Sequence, residues 1–246
     1  MSESLRELER VKDSLMAARR AVVIAHGMTE DLHSGVDGAG KSLAESEAMR
    51  RYATVAGEGA AAYFDSAAKE MVRVERFCDG AAMVGVQIST ELKGAREAVE
   101  DARLSLGRID RAELSAPDVA DLAVLQARVD ATGEVVDLAL PMALAASENL
   151  YAASHAARLT HSPIVSVEGG GPPTFETVSM VNRDLGRASS DEVHLERAME
   201  RVDVSTERSL SEAEAITGAA EARLRGAQVP EAAQNVQMMS VEGPSR

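Results

Sequence analysis

Apolar residues follow a heptad repeat that keeps one phase from Leu8 to Ile109. The spacing alternates between three and four residues, whereas a strand would repeat every two, so the pattern predicts long helices with one buried stripe. The first buried position of the heptad is occupied by Leu8, Leu15, Val22, Val36, Leu43, Phe64, Met71, Cys78, Leu92, Val99 and Leu106. The second is occupied by Val11, Ala18, Ala25, Leu32, Ala39, Ala53, Ala60, Ala67, Val74, Ala81, Ile88, Ala95, Ala102 and Ile109. These positions, here called the apolar seam, predict an all-α, elongated antiparallel helical bundle or coiled coil with long helices.

Two glycine-rich places could interrupt the first helix, one at Gly35 to Gly40 and one at Gly57 to Gly59. The weakest seam positions are Ser46, Arg50 and Gly57, and they cluster before the second place. A turn at Gly57 to Gly59 is therefore favoured, which folds residues 1–113 into an antiparallel hairpin. A single very long helix is the alternative, because glycine costs only about 1 kcal/mol per site relative to alanine.

The second half of the chain alternates between helical and irregular patterns. A third long helix is predicted over residues 114–160, with a possible kink at Pro141. Residues 161–175 hold three prolines and three successive glycines, which predicts an extended linker. Apolar positions then return at helical spacing and predict a fourth long helix over 176–227, followed by a disordered tail over 228–246.

Composition narrows the possible functions. Only 2% of the residues are aromatic and tryptophan is absent, so the core must be thin, as in a pair of helices. The net charge is −14, which argues against nucleic acid as the main partner, because nucleic acid attracts clustered Lys and Arg. Cys78 is the only cysteine and occupies the seam, so it is interpreted as a buried apolar thiol.

No segment of the sequence resembles a signal peptide or a membrane span. The first residues alternate charges where a signal peptide would carry a basic patch and then an apolar run. The longest uncharged stretch, Leu138 to Ser147, is about half the length of a transmembrane helix. We therefore expect a cytoplasmic protein without a membrane span, with export by a signal-less route as an alternative.

Residues Gly35 to Ser42 match the pattern G-x-x-x-x-G-K-[ST] and resemble the Walker A loop of nucleotide kinases and ATPases. The resemblance implies that Gly35, Gly40, Lys41 and Ser42 would hold phosphate, with Lys41 at the β and γ groups and Ser42 on Mg²⁺. A P-loop follows directly on a buried strand, whereas the residues before Gly35 are polar and helical in period. The favoured interpretation is therefore a glycine-rich segment of helix, with phosphate binding as the alternative.

Two histidines have an acidic residue three positions earlier, in the pairs Glu30 with His33 and Asp191 with His194. The pairs resemble the Glu-x-x-His motifs of ferritin-like metal sites, although Asp replaces Glu at 191. Both histidines lie beside the apolar stripe, so solvated polar residues are the favoured interpretation and no metal site is predicted. The sequence also lacks a recognisable nucleophile motif, and we predict no catalytic residue and no cofactor.

Nine of the second seam positions are alanine, which lets helix backbones approach closely. Long, closely packed helices are typical of spacers, scaffolds and assembly subunits. The sequence therefore predicts a non-enzymatic scaffold or interaction protein whose partner is another protein or a second copy of itself.

The first hairpin also resembles the small helix-turn-helix substrates of type VII secretion in its length and in Gly59 at its turn. The Trp-x-Gly motif of that family is absent, because Gly57 stands where the tryptophan would be. The resemblance implies an exported helical hairpin as an alternative function.

Overall fold

A computed structural model of the chain describes residues 3–113, 116–161 and 175–239. Nearly all of these residues lie in four long helices, and the described part of the chain contains no strand. The helices are α1 (Glu3–Val55), α2 (Ala60–Arg108), α3 (Ala116–His161) and α4 (Phe175–Met239). Two short 3₁₀ turns, Gly57–Gly59 and Arg111–Glu113, follow α1 and α2. The predicted all-α fold is confirmed.

The chain reverses between α1 and α2 at the second of the two glycine-rich places. Gly57 has a φ of +57°, a left-handed conformation that only glycine adopts without strain, and the amide of Gly59 donates to the carbonyl of Ala56 at 3.1 Å. The first place, Gly35 to Gly40, lies inside α1, and the helix passes through it without a break.

The bounds of α3 lie within two residues of the predicted 114–160, whereas α4 ends well after the predicted residue 227. Pro141 lies inside α3 on an exposed position, where water can bond to the carbonyl that a proline leaves free. Helix α4 continues to Met239, so residues 228–239 are helical where a disordered tail was predicted. Residues 231–239 are mostly Glu, Ala, Gln and Met, which favour a helix even without an apolar stripe. The predicted linker falls almost entirely on residues 162–174, outside the described residues.

The chain forms two compact units, and each of the four helices contributes one segment to each unit. One compact unit, the first unit, combines residues 1–19, 97–133 and 205–246. The other, the second unit, combines residues 20–96 and 134–204. Each unit therefore contains one segment of every helix, although the sequence predicted an organisation helix by helix.

Neighbouring helices of the second unit run antiparallel. Residue numbers rise along α2 as they fall along α3: Glu75 contacts Arg158, at 2.7 Å, and Arg96 contacts Asp137, at 2.9 Å. The other pairs of neighbours are joined by hydrogen bonds between Ser46 and Ala67 for α1 and α2, Asn149 and Asp191 for α3 and α4, and His33 and Glu192 for α1 and α4. The second unit is thus an antiparallel four-helix arrangement.

The first unit has the same arrangement with a separate core. Arg103 on α2 donates to Asp130 on α3 at 2.9 Å, and Thr132 on α3 lies 2.9 Å from the hydroxyl of Ser209 on α4. Its core is formed by Leu8, Val11, Leu15, Ala18, Val99, Ala102, Leu106, Ile109, Leu122, Leu125, Val129, Leu210, Ala213 and Ile216.

The apolar seam coincides with the buried stripe of α1 and α2. Every apolar residue assigned to the seam from Leu8 to Ile109 is buried except Ala60 and Phe64, which are half-buried in the first turns of α2. Of the three weak positions, Ser46 is buried, Arg50 is half-buried and Gly57 is exposed. The register therefore predicted most of the apolar side chains that these two helices bury, with Leu5 and Ala82 buried outside it.

Candidate functional site

The Gly35 to Ser42 segment occupies the interior of α1, with helix on both sides. Amides in the interior of a helix donate to the carbonyl four residues earlier, whereas a P-loop needs free amides to wrap a phosphate. The residues from Glu3 to Ser34 are also helical, so helix stands where a P-loop would have a strand. This geometry does not support the nucleotide-binding alternative.

Two glycines of the segment lie against α2. A Cβ added at Gly35 would lie 2.6 Å from the Cβ of Ala81, and one added at Gly38 would lie 2.8 Å from the ring of Phe77. A larger residue at Gly35 would push the helices apart, because the atoms it meets belong to Ala81 and to the backbone of α2. At Gly38 a larger residue would displace the ring of Phe77, so close helix packing explains Gly35 and the position of one side chain explains Gly38.

The four residues named for the phosphate-binding alternative do not converge on one site. Gly35 faces α2, and Ser42 is buried. The ammonium group of Lys41 is exposed and lies 2.5 Å from Oδ2 of Asp37, one turn earlier in the same helix. Gly40 and Lys41 instead line a groove between α1 and α4.

This groove, the α1–α4 groove, has a volume of about 530 Å³ and lies within the second unit. Ligand sites in proteins have volumes of about 300 to 1,000 Å³, so the groove is large enough to receive several side chains or a small molecule. It is lined by His33, Val36, Asp37, Gly40, Lys41, Leu43, Ala44 and Glu47 of α1 and by Asn182, Leu185, Gly186, Ser189 and Glu192 of α4.

Gly40 and Gly186 both line the groove, and the space beside them is here called the notch. Helices α1 and α4 are antiparallel, and His33 contacts Glu192. Gly40, seven residues after His33, therefore lies at about the same height along the helix pair as Gly186, six residues before Glu192. A Cβ added at either glycine would meet no described atom within 4 Å. Unlike Gly35 and Gly38, these glycines are not required by a contact with another helix, and their effect is to leave space.

A buried carboxylate closes one end of the groove. The side chain of Glu192 is 5% exposed, and its Oε1 lies 3.1 Å from Nδ1 of His33, a hydrogen-bond distance. Burying a carboxylate is costly without such a partner. The contact therefore explains why α4 carries a glutamate at a position where its apolar stripe is interrupted.

The two predicted acid–histidine pairs do not form a joint site. His33 contacts Glu192, and Asp191 accepts a hydrogen bond from Nδ2 of Asn149 at 2.7 Å. Within the described residues, no three His, Cys, Asp or Glu side chains come together as a metal site. A neighbouring contact, between Nδ1 of His26 and Oδ2 of Asp203, is longer at 3.9 Å.

No family model, curated protein or solved structure is significantly similar to this chain.

In the part of the chain that the structure describes, none of the helices holds a stretch both long and apolar enough to cross a membrane.

The α1–α4 groove escaped the sequence-based interpretation. Its two walls are about 150 residues apart in the chain, and its notch is defined by glycines that have no pattern of their own. The one available signal was the interruption of the α4 stripe at Glu192.

Cys78 is fully buried in the core of the second unit, as predicted. Burial, with a smaller contribution from the nearby carboxylate of Asp79, raises the pKa of its thiol from the usual value near 9 to about 12. The neutral thiol thus contributes stability that is complete below pH 9 and is lost as the pH rises towards about 12.

We expect Cys78 in the folded protein to resist alkylation by iodoacetamide at pH 8, because the thiolate is the reactive form and the site is closed to solvent. Full labelling should follow in denaturant, as measured by intact mass. Rapid, complete labelling of the folded protein would contradict the buried position of this side chain.

Proposed function

We propose that this protein is a non-enzymatic helical interaction protein that receives side chains of a protein partner in the α1–α4 groove. The observation that carries the proposal is the notch formed by Gly40 and Gly186, an open space that the packing of the chain does not require. A glycine inside a helix costs about 1 kcal/mol relative to alanine, so Gly40 and Gly186 lower the stability of α1 and α4, and both of them line the groove.

The chemistry of the groove suits a protein ligand. Its floor includes the mostly buried apolar side chains of Val36, Leu43 and Leu185, while Asn182 and Ser189 supply polar groups at the wall of α4. Helical partners commonly insert apolar side chains into grooves of this kind and bond to the polar rim. An apolar side chain of the partner would fill the notch.

Filling the notch should abolish partner binding without unfolding the protein. We expect the double variant Gly40→Leu, Gly186→Leu to be at least as stable as the parent, because leucine favours a helix and its Cβ at either position meets no described atom within 4 Å. A photo-crosslinking amino acid at Asn182 should attach a protein partner in cells expressing the parent groove, and this crosslink should disappear in the double variant.

The matched control is Gly80→Leu with Gly94→Leu, two glycines of α2 whose added Cβ would also meet no described atom within 4 Å. This control should keep the crosslink at Asn182. The proposed function is wrong if no protein is attached at Asn182, or if the filled groove gives the same product as the parent.

A second candidate function is export by a signal-less route. The observation that favours it is the antiparallel pair of α1 and α2, joined by the short turn Gly57–Gly59. Quantifying the protein in culture medium and in cells, with an intracellular marker to correct for lysis, tests this candidate. Retention in the cells would count against it.

A further inference from the structure

The outward side of α3 in the second unit is unusually apolar. Glu148 is the only Asp, Glu, Lys or Arg between positions 138 and 157. Three large apolar side chains are nevertheless exposed here: Leu138 by 57%, Tyr151 by 45% and Leu144 by 36%. A helix that is apolar on all sides is normally covered on all sides.

Neighbouring helices cover only part of α3. Ser147 donates to the carbonyl of Ala82 on α2, and Asn149 donates to Asp191 on α4. The sides of α3 that carry these two residues are therefore covered by α2 and α4. The exposed apolar side chains lie outside these contacts. The α3 face is here defined as Glu134, Leu138, Pro141, Leu144, Ala145, Glu148, Tyr151, Ala152 and His155.

This face is complementary to itself when its direction is reversed. Leu138 lies seven residues before Ala145, and Ala152 lies seven residues after it. Glu134 lies eleven residues before Ala145, and His155 lies ten after it. In two antiparallel copies of the helix that cross at Ala145, Leu138 would oppose Ala152 and Glu134 would lie close to His155. Glu148, three residues after Ala145, would lie close to Pro141 of the other copy.

We propose that a second copy of this chain packs against the α3 face around a two-fold axis at Ala145. Leu138 of each copy packs over Ala152 of the other, and the two Ala145 residues allow the backbones to approach closely. Glu134 of each copy pairs with His155 of the other, which fixes the register. Such an interface is isologous, because both copies use the same surface.

The length of the α3 face limits how tightly two copies can bind. From Glu134 to His155 the helix rises by about 32 Å, so one helix pair buries less than the roughly 1,200 to 2,000 Å² of stable complexes. We therefore expect a dimer that dissociates on dilution. This interface uses different residues from the α1–α4 groove, so a failure of one proposal would not affect the other.

Sedimentation velocity of the full chain over a wide concentration range tests the dimer. The parent should shift from monomer to dimer as its concentration rises, and Leu138→Lys should remain monomeric. Val23→Lys is the matched control, because Val23 is similarly exposed, at 53%, but lies on α1. It should dimerise like the parent, and circular dichroism should show both variants folded.

The register is tested by exchanging charges across the two-fold axis. Glu134→Lys and His155→Glu should each raise the dimer dissociation constant several-fold, because the first removes the acceptor that faces His155 and the second places two glutamates opposite one another. The double variant should restore the parent value. The proposal is overturned by a parent that stays monomeric, by dimerisation of Leu138→Lys, or by a double variant no better than the single ones.

Discussion

Replacing Leu92 with Asp is expected to unfold the second unit under conditions in which the parent chain is folded. Leu92 is fully buried in the apolar core of that unit, near the middle of the most regular stretch of the seam. Burying a carboxylate there without a partner costs several kcal/mol, out of a total of about 5 to 15 kcal/mol for a typical domain. Thermal melts followed by circular dichroism should show a large loss of helicity or of melting temperature.

The matched control introduces the same residue one position later. Lys93 is exposed on α2, and an exposed substitution changes stability by only about 0.5 kcal/mol, so Lys93→Asp should melt close to the parent. Equal melting temperatures for Leu92→Asp and Lys93→Asp would mean that the apolar seam does not hold the bundle together.

Replacing Gly35 with Leu is expected to be the second most damaging change. Even a Cβ at this position would lie 2.6 Å from the Cβ of Ala81 and 3.4 Å from its Cα, so the backbones of α1 and α2 must separate. Overpacking a helix contact costs about 1 to 3 kcal/mol, which exceeds the gain of about 1 kcal/mol from removing a glycine from a helix. Chemical denaturation should give a lower free energy of unfolding.

Gly27→Leu gives the opposite expectation in the same helix. Gly27 is exposed, and an added Cβ there would meet no described atom within 4 Å, so only the gain in helix propensity remains. The free energy of unfolding should rise by up to about 1 kcal/mol. If both variants shifted stability in the same direction, the close approach of α1 and α2 at Gly35 would be refuted.

The fold was largely predictable because burial in this protein follows a linear pattern. A stripe of side chains every three or four residues defines a buried helix face, and the residues from Leu8 to Ile109 fit it almost without exception. On α4 the apolar spacing is interrupted by three polar residues, Glu192, Thr206 and Ser209, and all three are buried. At each of these positions a polar side chain lies inside the bundle, and the same side of α4 stays buried.

The candidate site could not be predicted because it depends on spatial relations between distant segments. Whether a glycine permits close packing, as Gly35 does, or leaves open space, as Gly40 does, depends on what the facing helix presents. The same reasoning applies to His33, whose partner Glu192 is 159 residues away. The local match to a P-loop was misleading for this reason, because the sequence pattern fits both a phosphate loop and a helix packed through its glycines.

The division of every helix between two compact units has a consequence for the order in which the chain folds during synthesis. All segments of the second unit lie between residues 20 and 204, so this unit is complete once that stretch has left the ribosome. The first unit needs residues 1–19 together with residues beyond 204, so its N-terminal segment must wait until those later residues have been translated. Its apolar residues, including Leu8 and Leu15, are exposed to chaperones and proteases throughout that interval.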